Sequence, residues 1–311
     1  MNVKKQSKER ILITGSNGLL GQKLVNILAG ANCYKIVATS RGENRNVNKQ
    51  NYVYYNLDIT NASALKQIIY KEKPQCIINC AAMTHVDVCE KEQSACYAIN
   101  VSAVKELVKI AKEKDIHLIH ISTDFIFDGK SGPYDEEATP NPVNYYGKTK
   151  LESEQVINGQ LEKYSILRTI LLYGAVQGLN RPNIVFFVKN SLEQGKEITM
   201  VDDQYRMPTL VDMLANACVA AYKNKVYGVF NVSSNKLLNV YEMALEISQA
   251  FNLDNSLIKK ISTSELNQPA KRPHTTGFIL DKSQKYLNLP LQSFSENLQT
   301  FKNQIEKLKT T

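Results

Sequence analysis

The chain has 311 residues and carries 38 Lys or Arg against 30 Asp or Glu, a net charge of +8. That length suffices for a large core in about two domains or lobes, and 43% apolar with 22% charged residues is ordinary for a soluble globular protein. No nucleic-acid motif accompanies the positive charge, no stretch approaches the roughly 20 apolar residues that span a bilayer, and the polar segment Met1 to Arg10 lacks a signal region, so a cytoplasmic location is expected.

In chain order, Arg10 to Thr14 reads as a buried strand and Leu19 to Ala29 as a helix with apolar positions 20, 24, 27 and 28. Lys35 to Thr39 and Tyr52 to Tyr55 are the next strands. Thr60 is placed to cap a helix that runs to about Lys71 and ends before Pro74. Cys76 to Asn79 is a strand, Glu92 to Lys114 one long helix, and His117 to Ile121 a strand. A helix spans Pro142 to about Asn158, and a strand Tyr164 to Thr169. Strands apolar on both faces, alternating with helices, argue for an α/β fold with a Rossmann-type doubly wound parallel sheet. Past residue 175 the pattern loosens. A loop covers Gln177 to Pro182, helices fall near 184–194 and 210–223, a strand near 228–232, and helices near 239–252 and 293–308. Residues 1–175 are thus read as the Rossmann-type domain, with about 208–235 rejoining it. The rest of 176–311 is read as a smaller C-terminal α+β substrate lobe.

Ligands of such folds sit beyond the carboxyl ends of the strands. Three segments lie there: Gly15 to Gly21, Asn79 to Thr84, and Ser122 to Asp124. The first spells G-x-x-G-x-x-G between a strand and a helix. Its glycines at 15, 18 and 21 permit a tight turn, an approach to a pyrophosphate, and close packing of helix on sheet. Asn17, Leu19 and Leu20 complete this turn. Ser40 and Arg41, at the end of the second strand, suit the 2′-phosphate of NADPH. Glu43 keeps NADH open. Asp58, at the end of the third strand, is placed toward an adenine; the alternative is that it joins Thr60 in helix capping.

Tyr146 and Lys150 stand four apart on a helix and share a face. A cation beside a phenol lowers its pKa, so the pair can move a proton at a carbonyl oxygen while a nicotinamide moves a hydride. Thr123 is placed to hydrogen-bond the same oxygen. His117 and His120 lie in a strand and read as structural. His85 borders the site, and His274 reads as a surface residue. The cysteines at 33, 76, 80, 89, 96 and 218 have no zinc spacing and are expected free and buried, with no metal site.

A glycine turn, a Thr and a Tyr-x-x-x-Lys in this order resemble the extended short-chain dehydrogenase/reductases. The segments 82–90, 122–129, 167–174 and 203–209, with Arg272-Pro273, narrow the resemblance to the dTDP-4-dehydrorhamnose reductase subfamily, from about residue 10 to about 305. The resemblance implies that Gly18, Leu19 and Leu20 meet the pyrophosphate, Asp58 and Ile59 the adenine, and that Ala81, Ala82 and Met83 line the cofactor cleft. It implies Tyr146 as proton donor to the C4 oxygen and Lys150 on the nicotinamide ribose. Thr84, Val86, Thr123, Asp124, Leu171, Asn183, Gln204 and Arg272 are implied for the nucleotide sugar. A homodimer stays open. The dehydratases place Asp-Glu after the catalytic hydroxyl residue, whereas here Asp124 precedes Phe125. The reductases usually carry Trp at the position of Leu171 and Gly at that of Arg206, and this chain has no Trp. The regulatory β subunit of methionine adenosyltransferase has the same fold and likewise lacks that Trp. Two alternatives therefore stand beside the reductase: a cofactor-binding regulator, and another epimerase or reductase of nucleotide sugars.

Overall fold

The computed structural model describes residues 8–31, 33–176 and 183–310; the loop expected at 177–182 lies outside them. Its strands are β1 (Arg10–Thr14), β2 (Lys35–Ser40), β3 (Tyr52–Asn56), β4 (Cys76–Asn79), β5 (His117–Thr123) and β6 (Tyr164–Thr169). Between them run α1 (Leu19–Ala31), α2 (Ala62–Glu72), α3 (Val86–Lys91), α4 (Gln93–Tyr97), α5 (Ala103–Lys114) and α6 (Tyr145–Asn158). The strands lie in the order β3-β2-β1-β4-β5-β6, and Gly228–Val232 adds a seventh beside β6. Every pairing in this sheet is parallel. Successive side chains of a strand point to opposite faces. Ile11 and Ile13 accordingly pack under Leu24, Leu28 and Leu214, while Leu12 packs under Leu65 and Leu107 on the other face. Helices cover both faces, as a doubly wound Rossmann-type sheet requires. The strand order reverses between β1 and β4, and a crevice opens there.

The structure corrects four local expectations. Asn61, not Thr60, caps α2: its side chain accepts from the Ala64 N–H, while Thr60 turns its N–H and hydroxyl to Asp58. The helix expected over 92–114 begins at Gln93 and widens into a π turn at Ala98–Ser102. That turn points the buried Asn100 amide at the Met83 backbone and the Thr149 hydroxyl. The helix expected from Pro142 starts at Tyr145, because Asn144 is extended and its side chain accepts from the Gly147 N–H. Finally, Cys33 is exposed and Cys80 partly exposed; only Cys76, Cys89, Cys96 and Cys218 are buried, and all are free.

Beyond β6, helices Ile184–Glu193, Val240–Phe251 and Phe294–Thr310 pack around Tyr173, Met243 and Phe301. Ile198–Val201 pairs with Ile258–Ile261, and Tyr205–Arg206 lies between Leu238–Asn239 and Thr275–Thr276. Among the described residues no helix is long and apolar enough to cross a membrane.

Candidate active site

The glycine turn is sterically committed. Gly15 has φ +64°, and a Cβ there would stand 2.8 Å from the Ala81 nitrogen; a Cβ at Gly21 would stand 2.3 Å from the Gly15 carbonyl oxygen. Only glycine lets α1 start this close to β1 and β4. The turn forms one wall of a cleft of about 200 Å³, lined also by Thr14, Ser40, Arg41, Asp58, Ile59, Ala81 and Ala82. Its donors fit a dinucleotide: a glycine turn at a helix N-terminus faces it, and a hydroxyl and a guanidinium stand at the end of β2. Leu20 is packed into the core, so only its backbone faces the turn. The Thr60 N–H, then its hydroxyl, hold the exposed Asp58 carboxyl below the usual carboxylate range.

Asn17 takes a part that the motif did not suggest. Its amide donates to Arg41 O at 3.2 Å, Glu43 O at 2.8 Å and the Tyr54 hydroxyl at 3.2 Å, and accepts from the Arg45 N–H at 2.9 Å. The side chain is thereby used up in fastening the glycine turn to the loop that carries Arg41.

The second part of the site lies at the end of β5. A Cβ at Gly147 would stand 2.1 Å from the Phe125 carbonyl oxygen. The absence of one lets α6 sit directly on the 3-10 turn Asp124–Ile126. Tyr146, 8% exposed, is brought against Met83, Val86 and Phe125, with the Phe125 ring edge-on at 6.0 Å. Burial pushes its phenol up, and a hydrogen bond with the Thr123 hydroxyl opposes the rise. This corrects the expectation of a lowered pKa. Desolvation prevails, and the phenol is protonated at neutral pH, the state of a proton donor. Lys150, 2% exposed, donates to Ile121 O at 2.7 Å and meets His120 Nε2 at 2.8 Å. Burial brings its amine down to about 8, while Glu154 pulls the other way. Glu154 is itself paired with Arg168 at 2.8 Å inside the fold.

The residues implied for the nucleotide sugar divide into two groups. Thr84 and His85 are exposed beyond β4, and Val86 opens α3 beside Tyr146. Leu171 is 39% exposed with φ +40°, a left-handed conformation that leucine rarely adopts and that marks stored strain. The others are committed to internal partners. Asp124, 2% exposed, accepts from Thr123 at 3.0 Å and from the Thr276 hydroxyl, with Arg206 Nε 3.8 Å away. Burial raises its pKa, and Arg206 restrains the rise. Asn183 caps its helix and donates to Gly174 O at 2.8 Å. Gln204 donates to the Thr263 hydroxyl at 2.9 Å. Arg272 grips both oxygens of Asp87 at 2.7 and 2.5 Å. Sequence reasoning missed Asn100, Arg168, Thr276 and the contact of His120 with Lys150. A polar residue inside an apolar strand was the available signal for His120.

A dinucleotide cleft at the switch point of a doubly wound sheet, with Thr, Tyr and Lys converging at the end of the fifth strand, defines an extended short-chain dehydrogenase/reductase. Within that class, the chain belongs to the dTDP-4-dehydrorhamnose reductase family: residues 9–307 match the family model described as the RmlD substrate binding domain. It is similar to a dTDP-4-dehydrorhamnose reductase from Bacillus anthracis str. Ames, solved in complex with NADP. The identity is 31%, the TM-score 0.83, and the match covers 96% of this chain and 99% of that one. It is 32% identical over 273 residues to a dTDP-4-keto-6-deoxy-D-glucose reductase of Streptomyces niveus, 86% of this chain and 88% of that one. It is also 33% identical over 281 residues to the methionine adenosyltransferase 2 subunit beta of Xenopus tropicalis, 89% of this chain and 82% of that one.

Proposed function

We propose that the protein is an NADPH-dependent reductase of the C4 keto group of dTDP-4-dehydrorhamnose or a related 4-keto nucleotide sugar. The observation that carries the reading is a buried, protonated Tyr146 against Thr123, one helical turn from Lys150. The glycine turn, Ser40 and Arg41 hold the dinucleotide, and Asp58 and Ile59 its adenine end. When bound, NADPH supplies a hydride to the carbonyl carbon. Tyr146 gives its proton to the carbonyl oxygen, Thr123 turns its hydroxyl from Asp124 to donate a hydrogen bond to that oxygen, and Lys150 holds the nicotinamide ribose.

The test is loss of NADPH absorbance with dTDP-4-dehydrorhamnose as substrate. A general acid is typically worth about 10²–10⁴ in rate, so Tyr146→Phe should lose turnover by that factor and keep NADPH binding. Unchanged turnover would sink the assignment of the donor.

A second reading is a cofactor-binding regulator, supported by the similarity to the β subunit and by Leu171 in place of Trp. NADPH binding without oxidation of any 4-keto sugar nucleotide, together with capture of a methionine adenosyltransferase, would favour it.

A further inference from the structure

Beneath the cleft the polar groups form a chain with one direction. The Ala81 N–H donates to Thr14 Oγ1 at 3.2 Å, and the Thr14 hydroxyl donates to Asn79 Oδ1 at 2.6 Å. Asn79 Nδ2 then lies 3.1 Å from His120 Nδ1. Burial holds His120 well below its ordinary pKa, and Lys150 adds to this, so the ring is neutral. A neutral imidazole has a single N–H. With Nδ1 accepting from Asn79, that hydrogen is on Nε2. Nε2 faces Lys150 Nζ at 2.8 Å and Ser153 Oγ at 3.2 Å. Two donors facing each other at the lysine make no hydrogen bond. The contact becomes one when Lys150 is an amine, its lone pair accepting from Nε2 and its own N–H given to Ile121 O.

We propose that His120 is a positioning residue that relays the Thr14–Asn79 orientation to Lys150 and so sets the charge of that lysine. The alternative state needs only the Asn79 amide turned over. Oδ1 then accepts an Nδ1–H, Nε2 becomes an acceptor, and an ammonium fits. Thr14 and Ala81, which hold the amide in the first state, line the dinucleotide cleft. A ribose hydroxyl that accepts from Lys150 favours the ammonium, so above about pH 8, where the unliganded lysine is mostly amine, dinucleotide binding draws up to one proton from solvent onto Nζ; this step rests on the reductase reading. The other groups facing Lys150 are Glu154 on its own helix, already paired with Arg168 of β6, and Cys96 on α4 beside Cys89. Both favour the charged form, and the lowering to about 8 stands against them.

The test follows the ¹³Cε signals of labelled lysines against pH in protein without nucleotide, with Lys150 assigned by its loss in Lys150→Met. Wild-type Lys150 should titrate near 8. Thr14→Val removes the hydroxyl that fixes the amide and adds no charge; it should raise that value by about one unit. Asn79→Asp, which cannot donate to Nδ1, should move it the same way. In a His120→Phe background Thr14→Val should be silent, which a merely structural role for the imidazole would not produce. An ordinary lysine value in wild type, an unmoved value in Thr14→Val, or a shift that persists without the imidazole overturns the proposal. Calorimetry of NADPH binding at about pH 9 in buffers of different ionisation enthalpy adds proton uptake, larger in wild type than in Thr14→Val. Equal uptake in the two counts against the coupling. The lysine titration needs no nucleotide, so a failure of the reductase reading is told apart from a failure here.

Discussion

Gly147→Ala is the sharpest probe of how this site is assembled, because it removes none of the candidate catalytic groups. The added Cβ would stand 2.1 Å from the Phe125 carbonyl oxygen, where ordinary contact begins at 3.4 Å, and 3.0 Å from a Pro142 carbon. Neither neighbour is the end of a flexible side chain. The helix must therefore back away from the Asp124–Ile126 turn by about 1 Å, a misplacement that can cost on the order of 100-fold in rate. Overpacking of this kind also costs about 1–3 kcal/mol of stability. Tyr146 precedes Gly147, so the displacement falls on the phenol relative to Thr123. The glycine turn and Arg41 lie on other elements and are untouched. The assay is kcat/KM for NADPH oxidation with dTDP-4-dehydrorhamnose, beside fluorescence titration of NADPH and a thermal melt. The expected result is a turnover loss of about two orders of magnitude with NADPH still bound. Wild-type turnover and an unchanged melt would refute the argument that contact of α6 with the turn sets the geometry of the phenol.

Other expectations rest on separate contacts. Asn17→Ala frees the Arg41 loop; losing about 1.4 kcal/mol, one or two neutral hydrogen bonds, should weaken NADPH binding about tenfold. NADH binding should change less, and equal losses for both would show that Asn17 does not act through that loop. Lys150 titrates at about 8 in the fold against an ordinary 10.5, so between these values the unfolded chain binds more protons and the lysine's contribution to stability rises with pH. Lys150→Met should flatten that rise by roughly 3 kcal/mol across the window, read as the difference in unfolding free energy between its two ends; superimposable profiles would refute it. Asp87→Ala and Arg272→Ala should couple by about 0.5–3 kcal/mol in a double-mutant cycle of unfolding free energy, and strict additivity would deny the pair.

The sheet was legible because a parallel strand covered on both faces must be apolar throughout. Ile11 to Ile13, Ile77-Ile78 and Leu118-Ile119 announce themselves for that reason. Tyr146, Lys150 and the glycine turn were legible because their spacing is dictated by a helix and by a close backbone approach. The π turn at Ala98–Ser102 was not, since a single extra residue in a helical turn leaves the periodicity of its neighbours intact. Nor were the two-residue strands, whose register is set by chain segments some 30 to 70 positions away. The lowering of the phenol expected from a nearby cation failed for a related reason. Spacing shows that two groups share a face, but not how much water is removed from them, and here desolvation is the largest influence on both.

Arginine poses the same difficulty in a more general form. A buried guanidinium is costly unless paired, and nothing in the sequence identifies the partners of Arg168, Arg206 and Arg272. In the fold each is paired or enclosed by carbonyls. Arg206 reaches Asp124 and donates to the backbone of residues 205, 273 and 274. Arg272 closes on Asp87, whose carboxyl it holds below the usual range. Asn144 donates to Lys271 O at 2.8 Å, and Thr276 donates to Asp124. The segment 270–276 is thus tied to α3, to the cap of α6 and to the turn beneath Thr123. It joins the two elements that present the candidate catalytic groups, the end of β5 and α6, to the helix α3 that packs on α6. Paired charges of this sort add little net stability, but removing one partner strands the other. A substitution at Arg272 or Asp124 therefore disturbs the position of Tyr146 as well as any contact with a sugar nucleotide. The kinetics of an Arg272 variant by itself mixes the two roles. The partner variant Asp87→Ala can, because it loosens the segment while leaving the guanidinium available to a phosphate: a KM that rises in Arg272→Ala but not in Asp87→Ala assigns the arginine to the substrate, and parallel losses assign it to the tie.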